Sequence, residues 1–114
     1  MSTPRSLTAR QVAKAAPVFA ALGQPTRLRL VSRLCVDGPL SITELSANAG
    51  MTRQALTKHL RALAEAGLVC NRRRGREQLW DFEPEPLEDA RKLLARISAN
   101  WDEAIDRLRA FVEK

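Results

Sequence analysis

The sequence predicts a mainly α-helical protein with a small two-stranded β-sheet, and three observations support this class. Apolar residues recur at helical spacing over most of the 114 residues. Residues 41–66 contain two helical patterns separated by a turn with a glycine, and an arginine-rich hairpin follows at residues 68–82. Two helices joined in this way and followed by a hairpin, or wing, form a winged helix-turn-helix. We therefore interpret residues 1–114 as a single domain of this class.

Two helices are predicted before the helix-turn-helix. The first covers residues 7–22, and because Pro17 lies inside it we expect a kink or a division into two helices. Residues 23–25 (Gly-Gln-Pro) should interrupt the helical structure, so that Thr26 caps a second helix at residues 27–36. The apolar stripes comprise Val12, Ala15, Ala16, Phe19 and Leu22 in the first helix, and Leu30, Val31 and Leu34 in the second.

The helix-turn-helix begins with a capping box. Ser41 and Glu44 have the spacing at which their side chains accept hydrogen bonds from each other's backbone N–H groups. The short helix that follows should run to about residue 49. Thr52 is expected to cap the second helix, at residues 53–66. A glycine that allows a left-handed backbone follows each helix, at Gly50 and Gly67.

The second helix of this pair has two different sides. Its spacing places Leu56, Leu60 and Leu63 on one side, which we expect to face the core. The other side carries Gln54, Thr57, Lys58, Arg61 and Glu65. Arg and Lys can bond guanine edges in the DNA major groove, and Gln can bond adenine edges. A charged outer face also suits an ordinary amphipathic surface helix, so this feature alone leaves that alternative open.

The hairpin favours a nucleic-acid partner. Residues 68–71 and 78–82 are predicted to be strands, and Gly75 is placed to turn the chain between them. Four arginines occupy the connection: Arg72, Arg73, Arg74 and Arg76. A basic ribbon beside the second helix can reach phosphates or an adjacent minor groove, while the alternative is a solvated tip.

The charge distribution supports the same partner. Net charge is +6 and the pI is about 10.3, which favours an anionic ligand. Residues 52–76 carry seven Lys/Arg and one acid, a net +6, whereas residues 83–114 carry six Lys/Arg and eight acids, a net −2. This asymmetry favours nucleic acid over a membrane, and with the helix-turn-helix we expect double-stranded DNA as the partner. Because there is no apolar run of about 20 residues to span a bilayer and no signal-peptide core, we expect a cytoplasmic protein.

The C-terminal region predicts one long helix from Pro86, with an apolar seven-residue repeat typical of helix pairing. One repeat position holds Leu87, Leu94, Trp101 and Leu108, and the other holds Ala90, Ile97, Ala104 and Phe111. We expect residues 8–22 and 86–113 to form a homodimer. The expected contacts are Phe19, Leu94, Ile97, Trp101, Ile105 and Leu108. A two-fold dimer would place two reading helices about 34 Å apart on a palindromic operator. The alternative is packing within one domain.

Three segments resemble the ArsR family of winged-helix repressors: residues 21–30, residues 52–60, and residues 66–69 with Gly75 and Arg76. The resemblance covers about residues 15–83 and implies a homodimeric bacterial regulator, usually a repressor, whose DNA affinity is lowered by a signal. Metal-sensing members carry cysteines before the recognition helix or histidines in the last helix. Here residues 44–48 have no cysteine and the last helix has no histidine. The resemblance therefore implies a branch that senses no metal, in which a tryptophan like Trp101 recurs.

These features predict a DNA-binding regulator without a cofactor, and not an enzyme, because the single histidine, His59, offers no set of nucleophile, base and orienting group. We expect His59 to pack or to bond a carbonyl or phosphate rather than a metal. The predicted DNA contacts are Thr52, Arg53, Gln54, Thr57, Lys58, Arg61, Arg72, Arg73, Arg74 and Arg76. The effector is unknown.

Three alternatives stay open. A thiol-based redox-sensing repressor would use Cys35 and Cys70, which are otherwise expected to be small buried or half-buried apolar residues. A winged helix can also serve as a protein-interaction module. A nucleoid-type protein would bind DNA without sequence preference.

Overall fold

The computed structural model describes residues 6–47 and 49–113, which form five α-helices and three β-strands. In chain order these are α1 (Ala9–Leu22), α2 (Pro25–Asp37), β1 (Leu40–Ser41), α3 (Ile42–Ser46), α4 (Arg53–Glu65), β2 (Val69–Arg74), β3 (Glu77–Phe82) and α5 (Pro84–Val112). The predicted class, mainly helical with a small β-wing, is confirmed.

The sheet has a third strand that the sequence did not predict. Its order is β1-β3-β2, and both pairs are antiparallel. Leu40 pairs with Trp80, and both side chains are buried. Because β1 has only two residues, it is too short to show an alternating pattern, and its position beside β3 is set by the tertiary structure.

Helix α1 is continuous through Pro17, so of the two expected outcomes, a kink or a division, the division is wrong. Proline removes the N–H that would bond the carbonyl of Ala13. Both residues are exposed, so water can bond this carbonyl. The helix starts at a capping box that was not predicted, in which Thr8 and Gln11 bond each other's backbone.

Helix α2 begins at Pro25, two residues before the predicted start at residue 27. The side chain of Gln24, rather than that of Thr26, accepts a hydrogen bond from the N–H of Arg27 at 2.9 Å. Pro25 is therefore the first helical residue, a position that requires no N–H donor.

One hydrophobic core joins the helices to the sheet. Its fully buried side chains are Leu34, Leu45, Leu56, Leu60, Leu63 and Leu68. The core residues predicted on α2 and α4 are buried, which confirms their orientation. On α1 the predicted stripe is confirmed only in part: Phe19 and Leu22 pack against the core, whereas Val12 is exposed and the buried residues are Val18 and Ala21. Because alanines lie on several sides of α1, the spacing of its apolar residues does not define which side faces the core.

Helix α5 is covered least by the rest of the chain. Among its 29 residues only Ala90 is buried, and an ion pair of 3.6 Å between Lys14 and Asp89 connects it to α1. The radius of gyration is 18.5 Å, whereas a compact domain of this length would have about 13 Å. Neither α5 nor any other helix within the described residues is long and apolar enough to cross a membrane.

Candidate nucleic-acid interface

Helix α4 presents a polar face to solvent. Its N-cap is the predicted Thr52, whose hydroxyl accepts a hydrogen bond from the N–H of Ala55 at 3.1 Å. While its leucines hold one side in the core, the other side opens onto a shallow depression of about 570 Å³. The lining residues are Thr52, Arg53, Gln54, Ala55, Thr57, Lys58 and Arg61. All of these side chains are exposed except Ala55 and Thr57, which are half-buried.

The start of α3 forms the predicted capping box. The N–H of Glu44 donates to the Ser41 hydroxyl at 3.1 Å, and the N–H of Ser41 donates to the Glu44 carboxylate at 3.0 Å. The hydrogen bond from the backbone of Ser41 is the larger cause of a lowered pKa at Glu44, and the hydrogen bond with the Ser41 side chain is the next. Both favour the charged carboxylate. The helix ends at Ser46, before the predicted end near residue 49, and residue 48 lies outside the described residues.

Two arginines connect α3 to its neighbours. Arg33 of α2 donates hydrogen bonds to the carbonyls of Leu45 at 3.4 Å and Glu44 at 3.1 Å. These carbonyls lie near the C-terminal end of α3, and the last carbonyls of a helix commonly take partners from outside it. Arg53, at the start of α4, donates to the hydroxyl of Thr43 at 2.9 Å. Arg33 thus connects α3 to α2, and Arg53 connects α3 to α4.

The wing is a hairpin with a two-residue connection. Arg74 pairs with Glu77, which leaves Gly75 and Arg76 between the strands. Gly75 has a φ of 63°, a conformation that glycine adopts without strain. The other three arginines were predicted in the connection but belong to β2, because the strands are longer than expected. All four arginines are exposed, and Arg73 donates to the carbonyl of Gly75 at 3.3 Å.

Arg72 has partners near the base of the wing. Its Nε donates to the Sγ of Cys70 at 3.2 Å, and its Nη2 lies 3.3 Å from a carboxylate oxygen of Glu83. The contact with Cys70, followed by that with Glu83, raises the pKa of Arg72. Hydrogen bonds with Cys70 and then Arg72 lower the pKa of Glu83. Arg72 is therefore engaged within the protein.

Comparison with known proteins places the helix-turn-helix in a defined family. Residues 22–69 match the sequence profile of a family described as a helix-turn-helix domain. The HTH-type transcriptional regulator YuzN of Bacillus subtilis is 36% identical over 81 residues, which are 66% of this chain and 88% of YuzN. The HTH-type transcriptional regulator Rv2034 of Mycobacterium tuberculosis is 35% identical over 85 residues, 75% of this chain and 76% of Rv2034.

Solved structures identify the branch of helix-turn-helix proteins. An ArsR-like transcriptional regulator from Rhodococcus sp. RHA1 superimposes with a TM-score of 0.76 at 32% identity, covering 90% of this chain and 96% of that one. The chain belongs to the ArsR family of transcriptional regulators. A homodimeric winged helix-turn-helix domain from Mycobacterium bovis, described as a possible ArsR-family regulator, has a TM-score of 0.61 at 27% identity and covers 90% of this chain and 92% of that domain.

This ArsR-family protein is thus a DNA-binding transcriptional regulator and not an enzyme. Its predicted contact residues fall into two groups, one on α4 at residues 52–61 and one on the wing, and all are exposed except the half-buried Thr57. Arg53 and Arg72 differ from the other predicted contact residues, because each also bonds a side chain of the protein itself. Arg33 and Glu83 were not among the predicted residues. Neither had a detectable signal in the sequence, because their partners depend on how separate elements pack.

The two cysteines of this ArsR-family regulator have different environments. Cys35 is exposed, which contradicts the expectation that both are buried or half-buried, whereas Cys70 is half-buried. The pKa of the Cys35 thiol is raised although the residue is exposed. The larger cause is desolvation by neighbouring atoms, and the smaller is the charge of Asp81. Desolvation, then a hydrogen bond with Glu83, raises the pKa of Cys70. Both shifts reduce the thiolate fraction, which is the reactive form.

Proposed function

We propose that this ArsR-family protein is a homodimeric transcriptional repressor that binds a palindromic operator in double-stranded DNA. The exposed polar face of α4 carries this proposal, because it presents Gln54, Lys58 and Arg61 opposite a fully buried leucine stripe. A helix of this kind, supported by a second helix, fits the DNA major groove. A bound dimer would occlude a promoter in the cytoplasm, where bacterial DNA is located.

The residues of α4 have chemically distinct roles in this proposal. Thr52 and the first N–H groups of the helix would hold a phosphate, because a helix N-terminus carries partial positive charge. Gln54 would read adenine, and Lys58 and Arg61 would bond guanine or a nearby phosphate. The remaining contacts at this helix would come from Arg53 and Thr57.

The wing would contribute electrostatic affinity. Arg73, Arg74 and Arg76 are exposed at or next to the connection between β2 and β3, from which they can reach the phosphate backbone or the adjacent minor groove. Each neutralised phosphate releases counterions, so the binding constant falls as salt increases.

Exposed apolar residues on α5 support the homodimer. The exposed fraction is 51% for Leu94, 67% for Trp101 and 62% for Leu108. Burial of such surface contributes about 25 cal/mol per Å², and the seven-residue repeat suits a partner helix. The proposed interface also includes exposed Ile97 and half-buried Phe19 and Ile105. A groove of about 680 Å³ between α1 and α5 could receive part of the partner.

We further propose that this repressor senses no metal ion. Helix α3 contains no cysteine and α5 contains no histidine. Within residues 6–47 and 49–113, no three His, Cys, Asp or Glu side chains are grouped as a metal site requires. Adding zinc, nickel or arsenite to the binding assay below should leave DNA affinity unchanged, and a metal-dependent loss of affinity would contradict this proposal.

A binding assay with DNA from upstream of the protein's own gene tests the main proposal. We expect the operator to be bound at least about 10³-fold more tightly than a random duplex. Replacing Arg73, Arg74 and Arg76 together with alanine should weaken binding to both duplexes. The slope of log K against log salt should become shallower by about 0.9 for each phosphate that the variant no longer neutralises.

The matched control removes charge from the helices instead. Arg10→Ala with Arg107→Ala deletes two exposed cations of α1 and α5 and should leave the salt slope unchanged. A triple wing variant with the wild-type slope would contradict the wing assignment. Equal affinity for operator and random DNA would favour a nucleoid-type protein, and no binding to DNA would favour a protein-interaction module.

We expect no redox sensing, because the raised pKa values of Cys35 and Cys70 lower the fraction of reactive thiolate. Treatment with diamide or polysulfide in the same assay should leave DNA affinity unchanged. A change in affinity that reductant reverses would instead support redox sensing.

A further inference from the structure

The side chain of Arg72 is directed along β2 toward the base of the wing, not toward its tip. Its guanidinium contacts Cys70, two residues earlier on the same strand, and Glu83, just beyond the end of β3. Because side chains alternate along a strand, Cys70 and Arg72 lie on one face of the hairpin. Leu79, directly opposite Arg72, lies on that face too, and so does Glu83 by the same alternation.

Glu83 is positioned by the fold independently of Arg72. It is the N-cap residue of α5, and its backbone N–H donates to the carbonyl of Leu68 at 2.8 Å. Leu68 is fully buried between α4 and β2. The Glu83 side chain makes no capping bond to α5, so its carboxylate is available to Arg72. This carboxylate is also less exposed than the guanidinium, with 34% against 62% of side-chain surface accessible.

We infer that Arg72 is a positioning residue that ties the wing to the start of α5 through Glu83, rather than a residue that contacts DNA. This inference rests on the proposed function. The tie would hold β2 in the orientation in which Arg73, Arg74 and Arg76 meet the phosphates. Since α5 is the proposed dimerisation helix, the same contact connects the dimer interface with the wing.

If Arg72 contacted DNA directly, neutralising Glu83 would have the opposite effect on DNA binding. In that case Glu83 competes with phosphate for the guanidinium, so neutralising Glu83 would strengthen DNA binding. If Arg72 instead positions the wing, neutralising Glu83 releases the wing and weakens binding. In the positioning case, loss of Arg72 adds the cost of ordering the wing on binding, but Arg73, Arg74 and Arg76 still reach the phosphates in the complex. Affinity therefore falls while the salt dependence is retained.

The test compares operator binding over a range of salt for two variants and their matched controls. Arg72→Ala should weaken binding about two- to fivefold, the size of effect expected from an exposed ion pair, and should leave the salt slope unchanged. Its control, Arg74→Ala, removes an exposed arginine from the same strand and should make the slope shallower by about 0.9 per phosphate contact.

The second pair of variants neutralises an acid. Glu83→Gln should weaken binding by a similar factor although it removes a negative charge, whereas Glu77→Gln, at the exposed start of β3, should bind as well as the wild type or slightly better. Arg72→Ala combined with Glu83→Gln should be no weaker than Arg72→Ala alone, because both changes break one contact.

Two results would overturn the inference: a slope for Arg72→Ala as shallow as that of Arg74→Ala, or tighter binding by Glu83→Gln than by Glu77→Gln. Failure of the proposed function is distinguishable, because the wild type would then show no salt-dependent operator binding. If Arg72→Ala does not fold, Glu83→Gln still distinguishes the two cases, because it weakens operator binding in one and strengthens it in the other. This substitution should fold, since the Glu83 side chain makes no capping bond to α5.

Discussion

Gln54 is the residue with the clearest capacity to discriminate between bases. Its amide offers one acceptor and two donors, which match the N6 and N7 positions of adenine. It lies in the first turn of α4, directly after the capped end, and is exposed. Lys58 and Arg61 follow at spacings that keep them on the same side of the helix. The positively charged pair contributes to affinity for any sequence, whereas the neutral amide contributes mainly through hydrogen-bond geometry.

We therefore predict that Gln54→Ala reduces the preference for one base pair in each operator half-site by about 1–3 kcal/mol. Binding to random DNA should change little. Competition binding with operators altered one base pair at a time measures this preference. Glu65→Ala is the control, because Glu65 is exposed near the other end of the same helix, away from its N-terminal turn. An unaltered base preference in the Gln54 variant would show that other residues read the operator.

At the scale of elements, α3 depends on contacts outside itself. It has five residues, far fewer than an isolated helix requires in water. Its capping box stabilises the start, Leu45 anchors it in the core, and Arg33 bonds carbonyls toward its end. The same guanidinium lies 3.5 Å from Asp37 on α2. Arg33 thereby links the support helix of the helix-turn-helix to α2.

We predict that Arg33→Met lowers the free energy of unfolding by about 0.5–1.5 kcal/mol, the net value of a hydrogen bond of this kind. Methionine retains the apolar stem but loses the donors. Urea denaturation measures the change, and Arg29→Met is the control, because Arg29 is an exposed arginine of the same helix. Equal effects of the two substitutions would mean that the bonds from Arg33 to α3 contribute nothing specific.

At the scale of the whole molecule, the chain has a long axis of 65 Å and cross-dimensions of 32 and 21 Å. This elongation arises from α5, whose rise of 1.5 Å per residue makes it about 43 Å long. The apolar repeat continues along this helix to Phe111, which is 77% exposed. A second copy that covered the repeat would also set the distance between the two α4 helices.

We predict that Trp101→Asp converts the protein to a monomer, because the carboxylate would be buried without a partner in the dimer interface. The helical content measured by circular dichroism should stay close to that of the wild type, since Trp101 is exposed in the single chain. Sedimentation measures the assembly, and operator affinity should fall because one half-site is lost. Ala99→Asp, exposed and off the repeat, should remain dimeric. A dimeric Trp101 variant would refute this interface.

Much of the fold and of the proposed DNA-binding surface followed from local sequence patterns. The caps at Ser41 and Thr52 depend on residues three positions apart, and the leucine stripe of α4 depends on helical periodicity. These relations fixed the helix-turn-helix and its polar face. Patterns rich in alanine, as in α1, defined the existence of a helix but not its buried side.

Local sequence patterns specify where α4 begins, which side of it faces water and where the positive charge lies, because each depends on neighbouring residues and intrinsic chemistry. Three features depend instead on how the elements pack: β1 joins the sheet, Arg33 bonds α3, and Arg72 bonds Glu83. Those contacts join residues that are far apart along the chain, so they arise only when the core brings separate elements together.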